Sequence, residues 1–366
     1  MTKPGAHSLA EIGSQPHCWG DCLREFAEAE LTEKIGEQFG GAGEWLFVGC
    51  GSSYYLALSG AASWVAITGR RAHAVPASEL LLFPDSVLTG SQNLAAVLIS
   101  RSGRTSEVIK AAKLLEEKKD IRTLAITCTP EQPLEQIATR TVVLPPANEE
   151  STVMTRSFTS MLLALQYAAT SLVGDYAMAK SLAELPTSAE RVLKDLPARI
   201  RKFVASHQFA DYICLGQGPF WGLACECALK LSEMSVSYAQ SYHTLEFRHG
   251  PKSVVGRETL VTFLLSESGQ NAESDVLKET KALGGTTLTI VNRADDRVRA
   301  SSDLLVEVGV ELPELARLAL YVVASQLMGV YTGLKKGLDP DNPRNLSRVV
   351  TLGEAESSEK SEHASL

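Results

Sequence analysis

The sequence predicts an α/β protein of two tandem halves, each a five-stranded parallel sheet flanked by helices. Three observations lead there. Short apolar runs alternate with helical patterns along the chain, which is the signature of βαβ units. The chain also repeats itself. "EWLFVGCGSSYYLALSGAASW" and "ADYICLGQGPFWGLACECALK" share a strand, a Gly-x-Gly turn and an apolar helix, with Gly49 and Gly216 lying 167 residues apart. "LAAVLISRSGRTSEVIKAAKLL" and "LVTFLLSESGQNAESDVLKETK" repeat at nearly the same spacing, with Ser100 and Ser266 166 residues apart. Two separate segments agreeing to within one residue mark an internal duplication.

The elements follow in order. Residues 1–24 are expected as an N-terminal segment, with no apolar core behind Lys3 and hence no signal peptide. Apolar runs at 45–49, 72–76, 94–100, 122–127 and 141–144 predict the strands of a first domain, 25–190. The region around 170–200 joins the halves, where "ELPTSAERVLKDLP" reads as helix punctuated by prolines. Runs at 211–215, 236–240, 259–265, 286–291 and 304–308 predict the second domain, 191–352. The polar, acidic stretch 353–366 is expected to be disordered. Such flavodoxin/Rossmann-like sheets bind ligands beyond the carboxyl ends of their strands, so the chemistry should lie in those turns.

Composition narrows the classes. The chain has 366 residues, too many for one small core, with 45% apolar and 21% charged residues. A net charge of -8 without a long basic run argues against a nucleic-acid surface. No 18 apolar residues run together, so no membrane span is expected. The seven cysteines (Cys18, Cys22, Cys50, Cys128, Cys214, Cys225 and Cys227) are odd in number and lack a C-x-x-C pair. They read as reduced core cysteines of a cytoplasmic protein. Cys18 and Cys22, with His17 beside them, have metal-ligand chemistry, but the reading adopted is that no metal and no cofactor is bound.

One strand end is unusual. After Leu98-Ile99 come Ser100, Arg101, Ser102, Gly103, Arg104 and Thr105, and then a helical pattern. Hydroxyls there can bind an anion together with the unpaired N–H groups of the helix's first turn. Ser52 and Ser53, after Gly51, form a second such corner. Serine N-capping alone explains one hydroxyl per turn, not five in two turns. With no G-x-x-x-x-G-K-[ST] and no G-x-G-x-x-G, a phosphate monoester fits better than a nucleotide. The duplicate turn carries Glu267 in place of Arg101 and Asn271 in place of Thr105, and a carboxylate there is expected to have cost it the function.

The helix "GPFWGLACECALKLSEMS" is apolar nearly all round, with Glu226, Lys230 and Glu233 in one stripe. The stripe is either a solvated face with an ion pair or a set of charges lining a cleft that tunes a carboxylate for proton transfer. "HTLEFRHGPKS" adds His249 in a loop bounded by Gly-Pro, and His243 six residues earlier.

Taken jointly, "CGSSY" (50–54), "SRSGRTSE" (100–107), "ECALKLSEMS" (226–235), "LEFRHGPKS" (245–253) and "NPRNLSRVV" (342–350) make the chain resemble the double-SIS (sugar isomerase) proteins over about residues 8–352. It is similar to the isomerase domain of glucosamine-6-phosphate synthase, and equally to stand-alone amino-sugar-phosphate deaminase/isomerases and deglycases. The resemblance implies two tandem SIS domains and a sugar phosphate held by Ser52, Ser53, Ser100, Arg101, Ser102 and Thr105. Gly51, Thr152 and Arg348 complete the expected substrate-binding set. It also implies that Glu233 moves a proton between C1 and C2, with Lys230 and Glu226 setting its state. His249 would help open the sugar ring from the partner subunit of a homodimer. Two departures favour breakdown over synthesis. The chain begins Met1-Thr2 with no glutaminase half, and Arg348 stands where the synthase carries an imine-forming lysine. The expected reaction is isomerisation of an amino-hexose 6-phosphate with release of ammonia. Alternatives are a deglycase, a plain aldose–ketose or synthase-like isomerase, and a non-catalytic phosphosugar sensor.

Overall fold

The computed structural model describes residues 3–118 and 120–351. The first half contains β1 (Glu44–Gly49), β2 (Arg71–Pro76), β3 (Leu94–Ile99), β4 (Arg122–Thr127) and β5 (Arg140–Val143). The second contains β6 (Asp211–Gly216), β7 (Tyr238–His243), β8 (Thr259–Leu264), β9 (Thr286–Val291) and β10 (Leu304–Glu307). The sheets run β2-β1-β3-β4-β5 and β7-β6-β8-β9-β10, with every pair parallel. The two orders are the same, so the duplication read from the sequence extends to topology. All ten expected strands form. Only β7 is displaced, starting after the expected 236, because Val236 is taken up as the left-handed C-cap of the preceding helix at φ 47°.

The central strands β3 and β8 are buried on both faces, whereas the edge strands β2 and β7 are half-exposed. This is the burial expected of a parallel sheet covered by helices. The helices Ser52–Thr68, Phe220–Ser235 and Leu318–Lys335 pack together between the sheets. Gly222 makes their contact possible, since a Cβ there would lie 2.4 Å from the carbonyl oxygen of Tyr55. Among the described residues, Glu314–Lys335 is the one helical stretch long and apolar enough to cross a membrane, and 89% of its apolar 18-residue window is buried inside the protein.

Two expected boundaries fall inside helices. Gln15–Glu28 runs across 24/25 and buries Cys18, Trp19, Cys22 and Phe26 against Arg156–Val173, so the N-terminal segment is part of the first core. Tyr176–Leu193 runs across 190/191 and tolerates Pro186 in its interior. The expected tail, 353–366, lies outside the described residues.

Candidate active site

Both hydroxyl turns lie at the carboxyl end of the first sheet. β1 ends at Gly49, and Gly51 turns the chain at φ 55° into the helix beginning at Ser52. Its duplicate, Gly218, has the same φ of 55°. This half of the left-handed region is cheap only for glycine. β3 ends at Ile99, and Ser100–Thr105 lead into the helix Ser106–Glu117.

Counting hydroxyl protons separates the serines. Ser100 and Thr105 share one hydrogen bond of 3.0 Å, which leaves one proton of the pair free. Ser102 accepts from the Arg104 N–H at 3.2 Å and keeps its own proton. Ser53 Oγ donates only a long bond to the Met154 Sδ, at 3.9 Å, which an anion can displace. These groups can still donate to an anion. Ser52 cannot do so freely: its hydroxyl donates to Glu226 Oε1 at 3.1 Å and accepts from Lys230 Nζ at 3.2 Å.

Arg101, expected among the phosphate ligands, is placed otherwise. Its guanidinium is buried against Glu149 at 3.2 Å and donates to the carbonyl oxygens of Thr152 and Arg348. A buried cation needs such partners, and here they fasten the 148–155 loop and the C-terminal segment to the turn. Thr152 therefore reaches the turn through its carbonyl, while its N–H bonds Asp341. Arg348 is exposed, with its guanidinium on Asn148 Oδ1 at 2.7 Å.

The charged stripe is a largely buried cluster, not a solvated face. Lys230 and Glu226 have fully buried side chains, and Glu233 is 20% exposed. Lys230 Nζ lies 3.2 Å from Glu226 Oε1, 2.5 Å from Glu233 Oε2 and 3.2 Å from Ser52 Oγ, which satisfies all three N–H bonds. Burial pushes the Glu226 carboxyl up to about 7, against the opposing pull of Lys230. Burial alone would depress Lys230, but the two carboxylates more than offset it and hold the ammonium above its ordinary value. Glu226 Oε2 is buried without a hydrogen-bond partner.

His249 follows the short turn Glu246–Arg248, is exposed, and shares no hydrogen bond or ion pair with the cluster. His243 ends β7 beside Gly216 and stacks on Trp221 at 4.2 Å. Its burial holds the imidazole below its ordinary value. Cys18 and Cys22 are buried, with sulfurs 4.0 Å apart, whereas His17 is exposed and pairs with Asp21. Among the described residues no group of three or more His, Cys, Asp or Glu side chains is placed to hold a metal ion.

The second half's turn is closed by a residue of its own. Glu273 Oε2 accepts from the Ser266 N–H at 2.8 Å and from Ser266 Oγ at 3.1 Å. The carboxylate that blocks this turn is thus Glu273; Glu267 instead pairs with Arg317 and Asn292. The Arg101–Glu149 pair of the first half reappears here with its signs reversed, as Glu267–Arg317. The sequence carried no signal for this difference, since both halves have a glutamate at that position, Glu107 and Glu273.

Two hydroxyl turns thus stand at the carboxyl end of the first sheet, and a buried carboxylate–lysine cluster on the helix after β6 is joined to one of them through Ser52. The sequence matches the SIS domain family over residues 41–171 and 213–331, and the chain belongs to that family as an enzyme with two SIS segments. Among its relatives, a glutamine–fructose-6-phosphate aminotransferase (isomerizing) of Methanothermobacter thermautotrophicus is 26% identical over 96% of this chain and 59% of the relative. One from Pyrobaculum aerophilum is 28% identical over 94% of this chain and 57% of the relative. The chain thus spans less than two thirds of the length of these relatives. A glucosamine-6-phosphate deaminase structure from Thermotoga maritima is 29% identical, covers 95% of this chain and 100% of its own, and superposes with a TM-score of 0.78. The tagatose-6-phosphate ketose/aldose isomerase of Escherichia coli, at 22% identity and a TM-score of 0.83 over 93% and 98% of the two chains, shares the fold.

Proposed function

We propose that the chain isomerises an amino-hexose 6-phosphate and releases its nitrogen as ammonia, leaving a ketohexose 6-phosphate. The observation that carries this reading is Glu233: its carboxylate alone in the cluster reaches solvent, at 20% exposure, while Lys230 and Glu226 behind it are sealed. Ser102 and one of the Ser100–Thr105 pair anchor the phosphate through free protons, Ser53 turns its proton to the anion from the Met154 sulfur, and that binding positions the sugar over the base. His249, delivered by a second copy of the chain, assists ring opening. Glu233 then removes the C2 proton of the open aldose and returns a proton at C1, which converts the 2-amino aldehyde into a 2-imino ketose. Water adds at C2, ammonia leaves, and the ketone remains. The guanidinium of Arg348 forms no imine with a ketose, which favours this direction over synthesis.

The test is a panel of amino- and fructosamine-6-phosphates assayed for ammonia, free amine and ketose phosphate. Ammonia with ketose phosphate is expected. Free amine in its place would make the chain a deglycase, and aldose–ketose interconversion without nitrogen release would make it a plain isomerase. Binding without turnover would make it a sensor.

A further inference from the structure

Ser52 and the cluster it touches come from opposite halves of the chain, 174 residues apart from Ser52 to Glu226. The helix carrying Ser52 and the helix carrying Glu226 meet where Gly222 abuts Tyr55 and Ser59. Lys230 can only donate, so the single Ser52 proton goes to Glu226 and the Ser52 lone pair receives Lys230. A phosphate ligand must offer a proton to the oxyanion, and Ser52 has none left.

We propose that Ser52 is a positioning residue: its hydroxyl, presented by the first half, holds Glu226 and Lys230 of the second half so that Lys230 keeps Glu233 aimed at the substrate. This rests on the reading of Glu233 as the acid–base group. The mechanism is geometric. A fully buried ammonium needs all three of its N–H bonds satisfied, and Ser52 supplies the only neutral acceptor of the three. Without it, Lys230 has two carboxylates on its own helix to divide between, and its place between them is no longer set from outside. The groups facing Glu226 are Lys230 and Glu233 on its own helix and Tyr55 on the Ser52–Thr68 helix, with Cys225 and Cys227 adjacent in sequence.

The experiment compares Ser52→Ala, Ser52→Thr and Ser53→Ala in the whole protein. Fructose 6-phosphate affinity is measured by calorimetry, kcat on the best substrate of the panel, and the protonation midpoint of Glu226 by the infrared carboxyl band that Glu226→Gln abolishes. Ser52→Ala is expected to change affinity by less than about two-fold, lower kcat roughly ten-fold and raise the Glu226 midpoint by about one pH unit, because a donor to the carboxylate is lost. Ser52→Thr should restore both, and Ser53→Ala should show the affinity loss that Ser52→Ala lacks. An affinity loss of ten-fold or more at unchanged kcat, or an unmoved midpoint, would overturn the proposal. If the wild type binds fructose 6-phosphate yet turns over nothing in the panel, the proposed reaction fails. The Glu226 midpoint then still decides the role of Ser52. Ser52→Cys keeps the volume, weakens the hydrogen bonds and reads the same midpoint if the alanine variant does not fold.

Discussion

Glu233 differs from its two charged neighbours in one respect: solvent can reach it. Glu233→Gln should leave fructose 6-phosphate affinity intact while cutting turnover by roughly 10²–10⁴-fold, the usual worth of a positioned acid–base group. Solvent deuterium exchange into C1 and C2 should stop as well, and exchange at the wild-type rate would move the role to another residue. The hydroxyl turn after β3 invites a parallel test. Ser102→Ala with Thr105→Ala should raise KM by one to two orders of magnitude, since each hydrogen bond to a charged group contributes roughly 1.5–3 kcal/mol. Ser266→Ala with Ser268→Ala, the same change in the duplicate, should leave KM where it was, because Glu273 fills that turn. Calorimetry on the two double variants separates a phosphate turn from a structural one.

Helices and turns carry the next set of consequences. The duplicate turn is built around a carboxylate that burial pushes up to about 7 from an ordinary 4.5. A raised folded-state value means that folding favours the protonated acid. The benefit is complete below about pH 4.5, falls as pH rises, and is gone above about 7. Glu273→Gln removes the titration and can still accept from Ser266. It should therefore match wild-type stability near pH 4 and exceed it at pH 8, by roughly 3 kcal/mol from the size of the shift. Thermal melts at the two pH values check this, and an equal gain at both would show that ionisation is not the cause. The helix contact at Gly222 is a second element-scale device. A methyl there would sit 2.4 Å from a backbone oxygen. Gly222→Ala should lower stability by about 1–3 kcal/mol, as overpacking does, and should lower kcat through the displaced Ser52–Glu226 bond.

At the scale of the whole molecule, His249 and Glu233 lie on the same half yet share no bond within one chain. If a second copy supplies the histidine, Glu233→Gln and His249→Ala subunits mixed and reassembled should recover activity, up to roughly a quarter of wild-type sites in a random dimer mixture. No recovery, in a mixture shown by mass to contain heterodimers, would confine each site to one chain.

Much of this was legible in the sequence, and the limit of what was legible has a physical basis. Strand alternation, the duplication, the two hydroxyl turns and the Glu226–Lys230–Glu233 stripe are local patterns, set by periods of two and 3.6 residues and by turn chemistry. The ten strands follow from them, with β7 late only because Val236 caps a helix. Partners far apart in the chain had no such signature. Arg101 looked like a phosphate ligand because it stands among the hydroxyls of its turn, but packing brought Glu149 and two carbonyls to it and engaged the guanidinium. Ser52 looked like its neighbour Ser53, and its hydroxyl proton went to a carboxylate 174 residues away. The sequence by itself determined which groups stand at the ends of the strands. The tertiary structure decided which of them are still free to bind a ligand, because a buried charge takes whatever partner the packing of the two halves places within reach.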